Sequence, residues 1–317
     1  MSEKRSTFGK AAYGGAGWIP RQSDHQNELG SHWAPYKLDN EWAPLKAVLM
    51  HRPAQELKQA QKDAEAALML EPLALELAQS QHDEIAKIYK KHKVEVHYTE
   101  PLETKHPNLM FCADLCAMTP AGAILARPAG EARAGEERWI ARRLADIGVP
   151  LLKTLTGKAV FEGADLMWLD QKTAMIGRGH RTNQAAIDQI AELLSEIGCD
   201  VITVDLPFGT MHFMGMLRIA DQDLAFCWPR RTPLATVRAL EERGYQVAFP
   251  PLEDEQDSYK AMNFVTLGPR KIILASGLPQ FEDFFAHFDI EIETVNVDEL
   301  AKAAGNIGCL TSILWRC

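Results

Sequence analysis

The sequence predicts an α/β fold built from five similar strand–hairpin–helix units arranged around an axis. Three observations carry that prediction. Helix-like segments end in similar junctions, each junction is followed by a β-rich run, and hairpin-like strand pairs lie between the junctions. The junctions recur roughly every 45–55 residues, a spacing that marks a repeat architecture. A doubly wound sheet explains the helix-to-strand alternation but not the hairpins, which place antiparallel pairs inside each unit. Units of this kind set around an axis carry their helices outside and leave a polar centre lined by strand ends and loops.

The elements follow in order. Lys91-His92-Lys93 leads into Val94-Glu95-Val96, the first junction. A hairpin over Cys116–Arg127 turns at Thr119-Pro120-Ala121-Gly122, and Asp146-Ile147-Gly148 then stops a helix before Val149-Pro150-Leu151-Leu152. The next hairpin, Leu166–Gly177, turns at Asp170-Gln171-Lys172, and Glu196-Ile197-Gly198 precedes Cys199-Asp200-Val201-Ile202. Leu217–Trp228 turns at Asp221-Gln222-Asp223 and is followed by Glu242-Arg243-Gly244 before Tyr245-Gln246-Val247. Phe264–Ala275 turns at Gly268-Pro269-Arg270 and is followed by His287-Phe288-Asp289 before Ile290-Glu291-Ile292. Asp, Asn, Pro and Gly favour such turns, and Gly after a last helical turn accepts the left-handed conformation that stops it. Residues 1–41 fall outside the repeats as an N-terminal extension, either an arm or a lid, and residues 42–317 form a single domain.

Bulk properties exclude several function classes. The 317 residues, 46% hydrophobic and 24% charged, suit a soluble chain with a large core. No run of 18 apolar residues occurs, so no membrane span is expected. Met1-Ser2-Glu3-Lys4-Arg5 lacks a leader's apolar core, which points to the cytoplasm. A net charge of −9 argues against a nucleic-acid partner and suits a cationic small molecule. Six dispersed cysteines include one CxxxC pair, Cys112 and Cys116, with no second pair to complete a zinc site. No GxGxxG follows a strand and no P-loop occurs, so nucleotide binding has no support, and neither a cofactor nor, with the lone CxxxC pair, a metal is expected.

Four segments carry chemistry. Cys309 lies in Gly305-Asn306-Ile307-Gly308-Cys309-Leu310-Thr311, where the two glycines allow close backbone approach to a substrate. The others are Asn108-Leu109-Met110-Phe111-Cys112-Ala113-Asp114, Phe161-Glu162-Gly163-Ala164-Asp165 and Gly209-Thr210-Met211-His212-Phe213, each near a strand end. Singly each has a plain reading: a buried free thiol, a capping carboxylate, a structural histidine. Together they can work on a guanidinium, a planar cation whose resonance resists attack at carbon. Paired carboxylates bind it bidentately, the bound cation favours the thiolate of Cys309, and His212 can protonate the departing amine.

In their order along the chain these motifs resemble the guanidino-group modifying superfamily of arginine deiminases, dimethylarginine dimethylaminohydrolases and amidinotransferases. The resemblance covers about residues 42 to 315, beginning at Glu41-Trp42-Ala43-Pro44-Leu45-Lys46-Ala47-Val48-Leu49-Met50-His51-Arg52-Pro53. It implies the five-bladed α/β-propeller, or pentein, fold. It further implies Cys309 as nucleophile, His212 as general acid/base, and Glu162 as the residue that grips the guanidinium and orients the histidine. Asp114 becomes a second carboxylate on the guanidinium, Asp165 and Asn108 polar substrate-binding positions, and Arg181 and Arg133 anchors for a substrate α-carboxylate. A homodimer is also implied.

Three positions depart from the family pattern. Met214 stands where deiminases and amidinotransferases usually carry the Asp of His-x-Asp, Ala113 replaces an Arg, and Gly308 replaces a His. Arg181-Thr182-Asn183-Gln184 looks closest to the dimethylarginine enzymes. The implied activity is a hydrolase acting on a substituted arginine, with an amidinotransferase or an arginine or agmatine deiminase as alternatives. A rival of another class is a non-catalytic pentein like the ribosome-associated translation factors. Those lack the Cys/His/Glu set, and the net charge here suits ribosomal RNA poorly.

Overall fold

Fifteen strands, β1 to β15, form five three-stranded sheets in a computed structural model that describes residues 7–101, 103–251 and 254–317. The opening stretch Met1-Ser2-Glu3-Lys4-Arg5 lies outside the described residues. In four sheets the inner and middle strands are the hairpins anticipated from sequence. These are β3 (Cys116–Thr119) with β4 (Gly122–Leu125), β6 (Leu166–Asp170) with β7 (Thr173–Arg178), β9 (Leu217–Asp221) with β10 (Leu224–Cys227), and β12 (Val265–Gly268) with β13 (Lys271–Ala275). Each middle strand then runs into a helix that returns to a parallel outer strand: β5 (Leu151–Thr154), β8 (Asp200–Asp205), β11 (Gln246–Ala248) or β14 (Glu291–Val295).

The remaining sheet is assembled from both ends of the chain. β1 (Leu45–Met50) is its middle strand, β2 (Glu95–Tyr98) its parallel outer strand, and β15 (Ser312–Arg316) its antiparallel inner strand. The last strand therefore closes the ring by pairing with the first.

Packing follows from position in the blade. The middle strands β4 and β10 are buried at every residue, sandwiched between helix and neighbouring strands, whereas outer β5 is partly or fully exposed throughout. The helices are amphipathic. In Leu75–Lys91 the buried residues Ala78, His82, Ile85, Ala86 and Tyr89 recur at three- and four-residue intervals, one stripe of a 3.6-residue helix. The left-handed stops are Gly148, Gly198 and Gly244 with φ of 78°, 78° and 83°, while Lys93 and Asp289 take the same conformation as non-glycines. Three hydrophobic clusters fill the spaces between blades, the largest centred on Phe226, Phe264 and Phe285.

All five inner strands contribute to a narrow axial channel of about 80 Å³, through Met118, Met167, Arg218, Thr266 and Arg316 among others. Part of the N-terminal stretch belongs to this packed body rather than to an arm. Tyr36 and Leu38 are core residues, and the Leu38 N–H donates to Thr119 at the turn end of a blade. No helix among the described residues is long and apolar enough to cross a membrane.

Candidate active site

Each inner strand is preceded by a short turn or bend that presents one polar side chain at the same end of the ring. Asp114 ends the turn Cys112–Asp114 before β3, Glu162 caps the turn Gly163–Asp165 before β6, and His212 caps Phe213–Gly215 before β9. Asn263 stands two residues before β12, and Cys309 lies in the single turn Ile307–Leu310 before β15. One repeat position therefore supplies five functional groups from five blades. Close packing holds these bends in place: a Cβ on Gly163 would lie 2.1 Å from the Cys116 carbonyl oxygen.

His212 sits between two buried carboxylates. Its Nε2 is 2.6 Å from Glu162 Oε2, and its Nδ1 is 3.7 Å from Asp114 Oδ1. Burial alone would lower its pKa, but the charges of Asp114 and Glu162 and the Glu162 hydrogen bond outweigh it, raising the imidazole to about 9. Burial likewise works against the Glu162 charge, yet His212, Arg133 and Arg181 hold this carboxyl below the usual carboxylate range. The pair is an imidazolium–carboxylate at neutral pH.

Cys309 is 5% exposed, and its Sγ accepts a hydrogen bond from Asn263 Nδ2 at 3.3 Å. Asn263 Oδ1 accepts from the Cys309 N–H at 3.2 Å, so this amide fixes both ends of the residue. Burial, with the nearby Asp114 charge, pushes the thiol up from its ordinary value. Both effects disfavour the thiolate. Asp114 lies in the same region: its Oδ2 accepts from Arg133, while its buried Oδ1, 3.7 Å from His212 Nδ1, has no hydrogen-bond partner among the described residues.

A cavity of about 20 Å³ brings together Asn108, Asp114, Arg133, Arg181, His212 and Cys309. It meets a second cavity of about 920 Å³ at Met211, His212, Ala304 and Cys309. Trp228, Arg231, Tyr259 and Lys260 line the larger space, with the Arg231 guanidinium 4.8 Å above the Trp228 ring.

Two expected substrate-binding residues turn out otherwise. Arg133 is buried, with Nε on Glu136 at 2.9 Å and Nη1 on Asp114 at 2.6 Å and on Glu162 at 3.5 Å. Its Nη2 faces the Asn108 carbonyl at 3.4 Å. All three nitrogens are committed to acceptors of the protein, so in this arrangement the guanidinium is the counter-charge of the acidic cluster. Asp165 is fully buried and accepts from the Thr182 hydroxyl at 2.6 Å and from the Phe213 N–H at 2.9 Å. It positions the backbone beside His212 and does not line the cavity.

The remaining expectations fall at the cavity wall. Arg181 donates through Nη1 to both Glu162 oxygens, at 3.1 and 3.3 Å, and is partly exposed. Asn108 donates through its amide to the Ala67 carbonyl. The glycines ahead of the thiol make room for protein, not substrate: a Cβ on Gly308 would lie 2.2 Å from Arg218 Nη2, and one on Gly305 would lie 2.0 Å from the Phe111 ring. Sequence reasoning missed Asn263, although its place before β12 matches that of the other four. Asp114, Glu162 and His212 also bring one ligand atom each within 4.8 Å of one another, but Arg133 already supplies the positive charge among these carboxylates.

Residues 55–218 match the family model for N,N dimethylarginine dimethylhydrolase, eukaryotic, just over half of the chain. The N(G),N(G)-dimethylarginine dimethylaminohydrolase of Streptomyces coelicolor is 23% identical over 269 residues, covering 84% of this chain and 96% of the relative. Among solved structures, the Pseudomonas aeruginosa dimethylarginine dimethylaminohydrolase complexed with citrulline aligns with a TM-score of 0.72 at 20% identity, over 85% of this chain and 99% of that one. SxtG, an amidinotransferase from Microseira wollei in the saxitoxin pathway, aligns at 0.72 and 14% identity over 89% and 98%. The substrate-bound N-terminal domain of the cyanobacterial arginine dihydrolase ArgZ aligns at 0.72 and 18% identity over 85% and 98%. The likenesses to solved structures identify the five-bladed propeller. The family match identifies the chemistry, and this chain belongs to the dimethylarginine dimethylaminohydrolase family of guanidino-modifying enzymes.

Proposed function

We propose that the chain is a cysteine-dependent hydrolase that attacks the guanidine carbon of a substituted arginine-like substrate through Cys309. One observation carries the reading: Cys309, His212 and the unpartnered carboxylate oxygen of Asp114 converge on a single cavity. The substrate guanidinium lies against Asp114, and its charge lowers the Cys309 pKa so that the thiol proton departs to solvent. The thiolate attacks the guanidine carbon, forming a tetrahedral adduct. His212, an imidazolium at neutral pH, protonates the nitrogen that leaves as an amine, and an S-alkylthiouronium remains on Cys309. Neutral His212 then takes a proton from water. The hydroxide adds to the same carbon, and collapse expels the sulfur, which takes the adduct's hydroxyl proton to leave as the Cys309 thiol, and releases a ureido product.

Met214, which stands where the usual pattern has a carboxylate, lines the larger cavity and gives that cavity an apolar face. An alkyl-substituted nitrogen suits that face better than a bare guanidinium does. With Arg133 committed, Arg181 is the cation of the smaller cavity proposed to meet a substrate carboxylate, and Arg231 and Lys260 line the larger space beyond it. The test is to incubate the protein with dimethylarginine, arginine and agmatine and to measure citrulline-type product, ammonia and released amine. Dimethylarginine is expected to turn over fastest, and a Cys309→Ser variant as active as wild type sinks the mechanism.

A second reading has one observation in its favour. The cavity of about 920 Å³ reaches Cys309 and His212 and has room for an amine acceptor beside a bound guanidino compound. In that reading the acceptor amine takes the place of water at the thiouronium. Faster turnover with added glycine or lysine, together with an amidinated acceptor by mass spectrometry, decides for transfer.

A further inference from the structure

We propose that the axial channel behind Cys309 is a binding site for a small monovalent inorganic anion of chloride size, held by Arg218 and Arg316. Both arginines line the channel, and they are 8% and 3% exposed. Their hydrogen bonds go to backbone carbonyls. Arg218 Nε donates to Met262 at 2.8 Å, and Arg316 Nη1 and Nη2 donate to Ala43 and Thr266, each at 2.8 Å. Arg218 Nη2 and Arg316 Nε are buried and have no hydrogen-bond partner among the described residues. Carbonyl oxygens satisfy N–H groups but not charge, and neither guanidinium makes an ion pair among the described residues.

The channel holds one carboxylate, Glu41, whose Oε1 accepts from the Trp168 N–H at 3.0 Å. Two cations against one carboxylate leave a surplus positive charge away from bulk water, a costly arrangement unless an anion joins it. Burial lowers the pKa of Arg218 and brings that of Arg316 to about 10, and it raises that of Glu41, in keeping with the missing negative charge. A space of about 80 Å³ exceeds what one water needs by this measure several-fold, so a chloride ion fits, whereas an organic anion such as gluconate does not.

The position ties this site to the thiol. A Cβ on Gly308, the residue before Cys309, would lie 2.2 Å from Arg218 Nη2. Arg218 is thus within electrostatic reach of Cys309, as it is of Glu41, Tyr89 and Tyr259. A channel anion and the Cys309 thiolate compete for the same positive charge, so each weakens the other by linkage.

The experiment uses the full chain in sodium gluconate at constant ionic strength, with chloride or bromide replacing gluconate stepwise. The expected results are a saturable rise in Tm and a saturable slowing of Cys309 alkylation by iodoacetamide at fixed pH. Bromide-soaked crystals are expected to show an anomalous peak between Arg218 and Arg316. Glu41→Gln removes the opposing charge and is expected to lower the half-saturating chloride concentration about tenfold, while Arg316→Met abolishes the response. If Arg316→Met does not fold, Glu41→Gln alone decides. Identical Tm in chloride and gluconate, or crystals with no bromide in the channel, overturn the proposal. The Tm and crystallographic readouts do not depend on Cys309 being the nucleophile, so failure of that reading is distinguishable from failure of this one.

Discussion

Replacing His212 by Asn tests the electrostatic heart of the site through stability, without any substrate. The folded imidazole titrates at about 9, against about 6.5 for an ordinary histidine. Because the folded value is raised, the stabilisation is fully present below pH 6.5 and is lost as pH climbs through about 9. At about 1.4 kcal/mol per pKa unit, a gap from 6.5 to about 9 is worth roughly 3 kcal/mol. The assay is chemical denaturation of wild type and His212→Asn at pH 6 and pH 10. Wild type is expected to lose roughly 3 kcal/mol more than the variant between the two pH values. Groups remote from His212 titrate alike in both proteins, so their effects cancel in the difference; Glu162 and Asp165, which feel the His212 charge, do not. Equal losses refute the imidazolium–carboxylate pair, and a larger loss in the variant refutes the sign.

Three further substitutions probe the rest of the site. Asn263→Ala removes the donor to the Cys309 sulfur and is expected to cut kcat/KM about tenfold to a hundredfold, with the pH profile of thiol alkylation moved upward. Arg133→Met strips three carboxylates of their counter-charge and is expected to cost about 3–5 kcal/mol in denaturant unfolding. Arg181→Ala should instead leave folding nearly intact and raise KM; a variant pair with these effects exchanged restores Arg133 as the substrate anchor. Gly308→Ala drives a methyl group against Arg218 and Asn263 and should lower stability by about 1–3 kcal/mol together with activity, both readable by thermal unfolding and initial rates.

Local signals were legible where local chemistry decides the conformation. The turns at Asp170-Gln171-Lys172 and Asp221-Gln222-Asp223 stand between the strands they join, and three of the five helix stops are glycines at positive φ. The β15–β1 pairing was not legible, because no turn links strands at opposite ends of the chain. Charged residues showed the same limit. A sequence displays Arg133 and Asp165 as charges, but only the folded arrangement reveals that Glu136, Asp114 and Glu162 occupy the first and that Thr182 and Phe213 occupy the second. Asn263 is hidden for a different reason: a neutral amide carries no titratable group to mark it in a sequence. Its alignment with Asp114, Glu162, His212 and Cys309 ahead of an inner strand was the available signal.

The closure of the ring has a consequence for how activity is lost. Cys309 stands three residues before β15, the strand that seals the first blade to the last. Four blades carry the acidic cluster, the histidine and the amide, and in the proposed mechanism none of these reacts without the thiol that arrives with the seam. Peeling β15 away therefore withdraws the nucleophile while the other blades can keep their own hairpins and helices. The pairing of β15 with β1 thus ties the placement of Cys309 to the joining of the two chain ends.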